Sequence, residues 1–283
     1  MTYETPESLR MALEARIRNE SEQTGLSPDR LRRRVVFQRV VTRLQQAEPG
    51  RWVIKGGMAM EIRLRDAARL TKDLDLGLRD EHVDPAQLRD RLIEGLSRDA
   101  DGDGFVFAVG VPSEMTADVA GVLTWRVTVD VKLTGRQFGS IRLDISPRAH
   151  ELGVTETVAL PNALSFAGFV TVDVEIVDIQ RHAAEKFHGM LKDFGDREKS
   201  RVRDLADLML MLDAGLLDPS RVAINVNRVW AERGSGPPMA FPALPESWPP
   251  RYEALAAENG IEPRSFAVAV ERAAAFWRSM FDR

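Results

Sequence analysis

The chain has 283 residues, of which 44% are hydrophobic and 29% charged, and its 43 acidic and 39 basic side chains give a formal net charge of −4. This is the balance of an ordinary folded protein with ample material for a core, and it excludes both a disordered chain and a polycation that coats nucleic acid by bulk charge. Cysteine is absent, which rules out disulfides, thiolate metal sites and cysteine nucleophiles and agrees with a reducing compartment.

The opening MTYETPESLR carries acids where a signal peptide would be apolar, and no apolar run approaches the roughly 18 residues that span a bilayer, so the expected location is cytoplasmic. Arginine outnumbers lysine 33 to 6. We read that ratio as a codon bias, and its useful consequence is that a lysine at a chemically apt position stands out.

Taken in chain order, Ser27-Pro28-Asp29 is an N-cap with proline in the first turn. Leu31, Val35, Val36, Val40 and Leu44 follow at helical spacing, which predicts an amphipathic helix over Ser27 to Gln46. Its Arg32-Arg33-Arg34 run reads as a solvated helix face, with phosphate contact as the alternative. Trp52-Val53-Ile54 is a short apolar strand running into Gly56-Gly57, after which Met58, Ala59, Met60 and Ile62 start a helix. Leu74 and Leu76 alternate with Asp73 and Asp75, as in a strand with one polar face. Strand-type runs follow at Phe105 to Val109, Leu123 to Leu133, Ser140 to Ile145 and Val170 to Ile176. From Asp178 onward the periodicity turns helical, at Ile179 to Phe194, Lys199 to Ala214, Ser220 to Glu232 and Ser265 to Phe281, with a Gly/Pro-rich linker from Gly234 to Pro250. The expected organisation is an α/β lobe over residues 1–177 and a helical lobe over 178–283.

Residues two apart on a strand point the same way, so Asp73 and Asp75 share a face while Leu74 enters the core. Adjacent carboxylates repel unless a cation lies between them, and hard oxygens at this spacing suit Mg²⁺ or Mn²⁺ held together with nucleotide phosphates. Acid-x-acid alone is weak, since it recurs at Asp101/Asp103 and Asp173/Glu175. The order strand, Gly-Gly, helix, strand, Asp-x-Asp is far more restrictive, because a glycine turn before a helix lets backbone amides approach a phosphate.

Gly56-Gly57-Met58-Ala59-Met60 with Arg63, followed by Arg69-Leu70-Thr71-Lys72-Asp73-Leu74-Asp75-Leu76, resembles the signature of the AbiEii family of nucleotidyltransferase toxins. That family lies within the DNA polymerase β-like superfamily and includes the mycobacterial MenT toxins. The resemblance implies an α+β fold with a mixed sheet, a turn at Gly56, Gly57 and Met58 cradling the triphosphate of an NTP, and metal binding by Asp73 and Asp75. Gly57 stands where many superfamily members carry serine, which takes a hydroxyl from the phosphate site. A third carboxylate of the superfamily matches Asp144, with Asp130 as competitor.

Lys186 lies on the edge of an apolar stripe formed by Ile179, Ala183, Phe187, Met190 and Phe194, where a snorkelling lysine is the plain alternative. In Ala184-Glu185-Lys186 it matches the family's phosphate-contacting lysine. Lys199-Ser200-Arg201-Val202-Arg203-Asp204-Leu205-Ala206-Asp207-Leu208 resembles the family's Arg-x-x-Asp-Leu-x-Asp-Leu segment, with Asp204 or Asp207 orienting Lys186 or the acceptor and Arg203 close enough to pair with Asp207. The implied partners are an NTP, a tRNA whose 3′ end accepts the nucleotide, and a cognate antitoxin. The alternatives are a small-molecule nucleotidyltransferase of the aminoglycoside-modifying type and an inert binding protein. Arg63, Arg65 and Arg69 are further candidates for phosphate contact.

Two motifs fail. Asp99, Asp101 and Asp103 with Gly104 imitate the start of an EF-hand loop, but its twelfth position is Gly110 rather than Glu, so we read an acidic turn. His82, His150, His182 and His188 have no metal-ligand spacing.

Overall fold

The computed structural model describes residues 3, 5–69, 71–80, 82–115, 123–147, 153–192 and 201–281. It has an α+β fold that divides into two compact units, one of Met1–Ile62 with Leu70–Ile176 and the other of Arg63–Arg69 with Val177–Arg283. His150, Phe194, Lys199, Ser200 and Leu70 of the motifs above lie outside the described residues. Among the described residues no helix is long and apolar enough to cross a membrane.

The first unit holds a mixed sheet. Its strands are β1 (Trp52–Ile54), β2 (Asp73–Leu78), β3 (Phe105–Val109), β4 (Ser113–Met115), β5 (Thr124–Leu133), β6 (Arg136–Pro147), β7 (Thr155–Ala159) and β8 (Asp173–Val177), in the order β3-β5-β6-β2-β1-β8-β7, with β4 also pairing with β5. β2 runs antiparallel to β1 and parallel to β6, and β6 is antiparallel to β5. Thr134 and Gly135, both at positive φ, turn β5 into β6, which is why β6 begins earlier than the run Ser140 to Ile145. Its inward side chains Leu74, Leu76, Val127, Val129, Val131, Leu143 and Ile145 are buried.

Helices α1 (Pro6–Thr24), α2 (Pro28–Ala47), α3 (Gly56–Leu64) and α4 (Pro85–Ser97) accompany the sheet. The predicted helix from Ser27 is α2, with Ser27 accepting from the Arg30 amide as its cap. Sequence reading missed α1 and α4, although Leu9, Leu13 and Ile17, and Leu88, Leu92 and Leu96, recur every four residues and are buried. Their acidic and arginine-rich outer faces hid short three-residue stripes. The Arg32-Arg33-Arg34 run is not simply solvated: Arg32 pairs with Glu14 and Asp29, and Arg34 with Glu20 and Glu61.

The acidic turn after α4 meets a cation, but a protein one. Arg39 and Arg43 of α2 reach Asp103, which is fully buried, at 2.5 Å each, and also Asp101 and Asp99. The guanidiniums occupy the carboxylates that an EF-hand would offer to calcium.

The second unit is helical, with α5 (Ile179–Leu191), α6 (Val202–Asp213), α7 (Pro219–Ala231), α8 (Trp248–Asn259) and α9 (Phe266–Phe281). α8 corrects the expected linker: Pro249 and Pro250 lie in its first turn, where the missing amide hydrogens would have no intrahelical acceptor. Trp230, Trp248, Tyr252 and Trp277 are buried, and Trp277 packs against Phe187, Trp230, Phe241 and Phe281.

Asp103→Ala removes the one fully buried carboxylate that both guanidiniums share, leaving them only the more exposed Asp101 and Asp99, and should lower unfolding free energy by about 3 kcal/mol in urea denaturation. Millimolar Ca²⁺ should leave the melting temperature of the parent unchanged; a calcium-dependent rise would show that the turn binds the ion.

Candidate active site

In the first unit the glycine turn and the aspartates are built by three neighbouring elements. β1 ends at Ile54, the Lys55 amide donates to the Asp75 carbonyl at 2.9 Å, and α3 begins at once at Gly56. Gly56 has φ +54°, a left-handed conformation that side chains disfavour. A Cβ built there would lie 1.8 Å from Asp75 Oδ2 and 2.6 Å from its Cγ, so the backbone turn lies directly against the carboxylate. Gly57 and Met58 belong to the first turn of α3, whose amides have no intrahelical acceptor.

A Cβ at Gly57 would lie 2.6 Å from Thr71 Oγ1 and 2.7 Å from Thr71 Cβ. A serine at position 57 therefore does not fit beside Thr71. The Thr71 hydroxyl stands in that space and donates to the Asp73 carbonyl at 3.1 Å, so a hydroxyl remains next to the turn.

On β2 the half-exposed Asp73 and Asp75 alternate with the buried Leu74 and Leu76. In the parallel pairing with β6, Asp75 lies opposite Asp144 and Asp73 opposite Arg142. Arg142 Nε donates to Asp73 Oδ1 at 2.6 Å. Arg126 of β5, opposite Asp144 in the other ladder, grips Asp144 as a fork, Nε to Oδ1 at 2.8 Å and Nη2 to Oδ2 at 2.6 Å. The Asp144 hydrogen bond, followed by the charges of Asp144, Asp73 and Asp75, raises the Arg126 pKa against the opposing effect of burial. Arg126 is thus bound by Asp144 and feels the charges of Asp73 and Asp75 as well. Asp130, the competing third carboxylate, is exposed further along β5 opposite Ser140.

These residues pass a chemical test for a divalent cation. Asp73 and Asp75 present hard oxygens on one face, and the absent side chain of Gly56 leaves the Asp75 carboxylate uncovered by a Cβ. Among the described residues no group of three or more His, Cys, Asp or Glu side chains could hold an ion by itself. Two carboxylates would share it with phosphate oxygens.

The second unit carries the remaining candidates as an alternating chain of charges. The Lys186 amine of α5 lies 3.0 Å from Asp204 Oδ1 and 2.7 Å from Asp207 Oδ2, both on α6. Arg69 forks Asp207, Nε to Oδ1 at 2.7 Å and Nη2 to Oδ2 at 3.0 Å, and Arg201 Nε lies 2.8 Å from Asp204 Oδ2. Burial works against the charge of Lys186, yet Asp207 and Asp204 outweigh it and its pKa is raised. Burial likewise opposes the charge of Asp207, and Lys186 and Arg69 overcome it, holding that carboxyl well below the usual range.

Some expectations need correction. Arg203 is exposed and does not pair with Asp207, whose oxygens are already engaged by Arg69 and Lys186. Neither Arg69 nor Arg63 stands out into solvent for phosphate: the first is bound to Asp207, and the second donates to the Val177 carbonyl. Sequence reading missed Arg126 and Arg142 because their partners lie on neighbouring strands. It also missed the role of Arg69, whose partner is 138 residues away.

His182, one turn before Lys186, is fully buried with neither ring nitrogen hydrogen-bonded. Burial, then the charges of Lys186 and Arg63, opposed by Glu185 and Asp207, push its pKa from 6.5 down to about 3. The unfolded chain therefore takes up a proton between pH 6.5 and 3 that the folded one refuses. The stabilisation is complete above about pH 6.5 and is lost as pH falls toward 3. Near pH 5 the unfolding free energy should fall by up to about 1.4 kcal/mol per pH unit from this imidazole. Urea titrations of His182→Leu should show a shallower slope than the parent; an identical slope would mean that the imidazole is not the titrating group.

A model of the family described as the nucleotidyl transferase AbiEii toxin, type IV toxin–antitoxin system, matches residues 39–276. Among solved structures, the MenT4 nucleotidyltransferase toxin Rv2826c of Mycobacterium tuberculosis H37Rv is similar, with a TM-score of 0.60 and 20% identity over 95% of this chain and 90% of that one. A candidate nucleotidyltransferase from H. pylori aligns with a TM-score of 0.49 and 15% identity over 90% and 94%. No curated protein matches the chain.

Proposed function

From the premise that the chain belongs to the AbiEii family of nucleotidyltransferase toxins, we propose that it transfers a nucleoside monophosphate from an NTP to the 3′-terminal hydroxyl of a tRNA, in the cytoplasm, and so blocks translation. Membership of a type IV toxin–antitoxin family implies an antitoxin partner and an NTP donor. The observation that carries the chemical reading is the contact of the Gly56 turn with the Asp75 carboxylate, beside Asp73 and opposite Asp144.

In this reading the acceptor oxygen forms a bond to the α-phosphorus as the bond to the β-phosphate bridging oxygen breaks, and pyrophosphate leaves. A divalent cation, Mg²⁺ or Mn²⁺, held by Asp73 and Asp75 would neutralise charge on the transferring and leaving phosphates. The Gly57 and Met58 amides bind triphosphate oxygens as orphan donors of a helix start. Asp144, its plane fixed by the fork from Arg126, orients the attacking hydroxyl and takes its proton as the new bond to phosphorus forms. Lys186, kept protonated by Asp204 and Asp207, supplies the family's phosphate-contacting amine. Arg142 on Asp73 and Arg126 on Asp144 hold these side chains in place, and the metal-binding role requires that Arg142 leave Asp73 an oxygen.

Incubating the purified protein with total RNA and each α-labelled NTP tests the proposal. Label is expected on tRNA, and Asp73→Ala should abolish it while retaining the parent's circular dichroism spectrum. Label on an aminoglycoside instead would replace the acceptor, and transfer undiminished in Asp73→Ala would remove the assigned metal site.

A further inference from the structure

Of the three consecutive arginines on α2, two have structural partners. Arg32 meets Glu14 and Asp29, and Arg34 meets Glu20 and Glu61. Arg33, between them and rotated by about 100° about the helix axis from each, is half-buried and faces elsewhere. Its one hydrogen bond among the described residues is a long one, Nη1 to the Thr71 carbonyl at 3.4 Å, and it makes no ion pair with any of them. A partly buried guanidinium that meets no carboxylate among the described residues can take a counter-charge from a ligand, and a bidentate donor of this kind fits a phosphate group.

Its location gives that donor a purpose. Thr71 is the residue whose side chain fills the space beside Gly57 and whose hydroxyl binds the Asp73 carbonyl. The same residue therefore touches the guanidinium, the glycine turn and the first of the paired aspartates. Arg33 also lies outside the stretch matched by the family model, 39–276.

We propose that Arg33 is a phosphate-binding residue of this site, its counter-charge being supplied by a phosphate of the nucleotide or of the acceptor. This rests on the functional reading given above. Of the two sources the triphosphate is favoured, because the Gly57 turn is where its oxygens would bind.

Calorimetric titration of the full chain with a non-hydrolysable NTP and, separately, with a single-stranded RNA ending in a free 3′ hydroxyl distinguishes the sources. Arg33→Ala should weaken NTP binding about tenfold or more, as loss of a charge-assisted bond does. Arg33→Lys should recover part of the loss, and Arg32→Ala should stay within about twofold of the parent because its charge is engaged by acids. Loss of RNA binding instead, with a log–log salt slope smaller by about one, would identify an acceptor phosphate. Unchanged affinity for both ligands in Arg33→Ala, or a parent that binds neither, overturns the proposal. The Arg33→Ala unfolding midpoint should match the parent's, since only a long carbonyl hydrogen bond is lost; a large drop would mark Arg33 as structural and also overturn it. Transfer that survives Asp73→Ala sinks the catalytic reading alone, leaving this binding comparison standing.

Discussion

In the first unit a backbone position without a side chain lies directly against a carboxylate, and the turn depends on that. Gly56 holds a left-handed φ of +54° with Asp75 Oδ2 where a Cβ would be. Any other residue would be doubly penalised, by its conformation and by a collision that only movement of Asp75 could relieve. The same turn ends β1, starts α3 and is tied to β2 through the Lys55 amide. The position of the carboxylate and the direction of the helix amides are therefore set by one local constraint.

Each of the two units balances its buried charges separately. In the first unit Arg126 and Arg142 hold Asp144 and Asp73, while Asp75 lies against the glycine. In the second, the series Arg201, Asp204, Lys186, Asp207, Arg69 alternates in sign. Buried ion pairs of this sort contribute little net stability relative to apolar packing, because desolvation offsets attraction. Their effect here is geometric: Lys186 has two carboxylates to fix its amine and keep it charged, which a snorkelling lysine would not need.

How much of this could be read from the sequence depends on the range of the interactions. Strand β1, the Gly-Gly turn, the alternation of β2, and α5, α6, α7 and α9 are local patterns of period 2 or 3.6, and all were legible to within a few residues. Asp73 and Asp75 share a face by strand geometry alone. The placement of Asp144 opposite Asp75 follows from the parallel register of β2 and β6, which short-range spacing does not encode, so spacing left Asp130 open as a rival. As sequence, Arg69 is one candidate among three for phosphate contact, because its carboxylate partner, Asp207, is 138 residues away. The Arg32-Arg33-Arg34 run was indivisible as sequence, and only the positions of Glu14, Glu20 and Glu61 separate the middle residue from its neighbours.

The proposed metal site depends most directly on the space that Gly56 leaves for the Asp75 carboxylate. Mn²⁺ titration followed by electron paramagnetic resonance, with a non-hydrolysable NTP present, measures this without turnover. Gly56→Ala, which alters no ligand, should weaken Mn²⁺ binding about as much as Asp75→Asn does. Parent-like Mn²⁺ affinity in Gly56→Ala would contradict the assignment of that turn and carboxylate as one metal–nucleotide site.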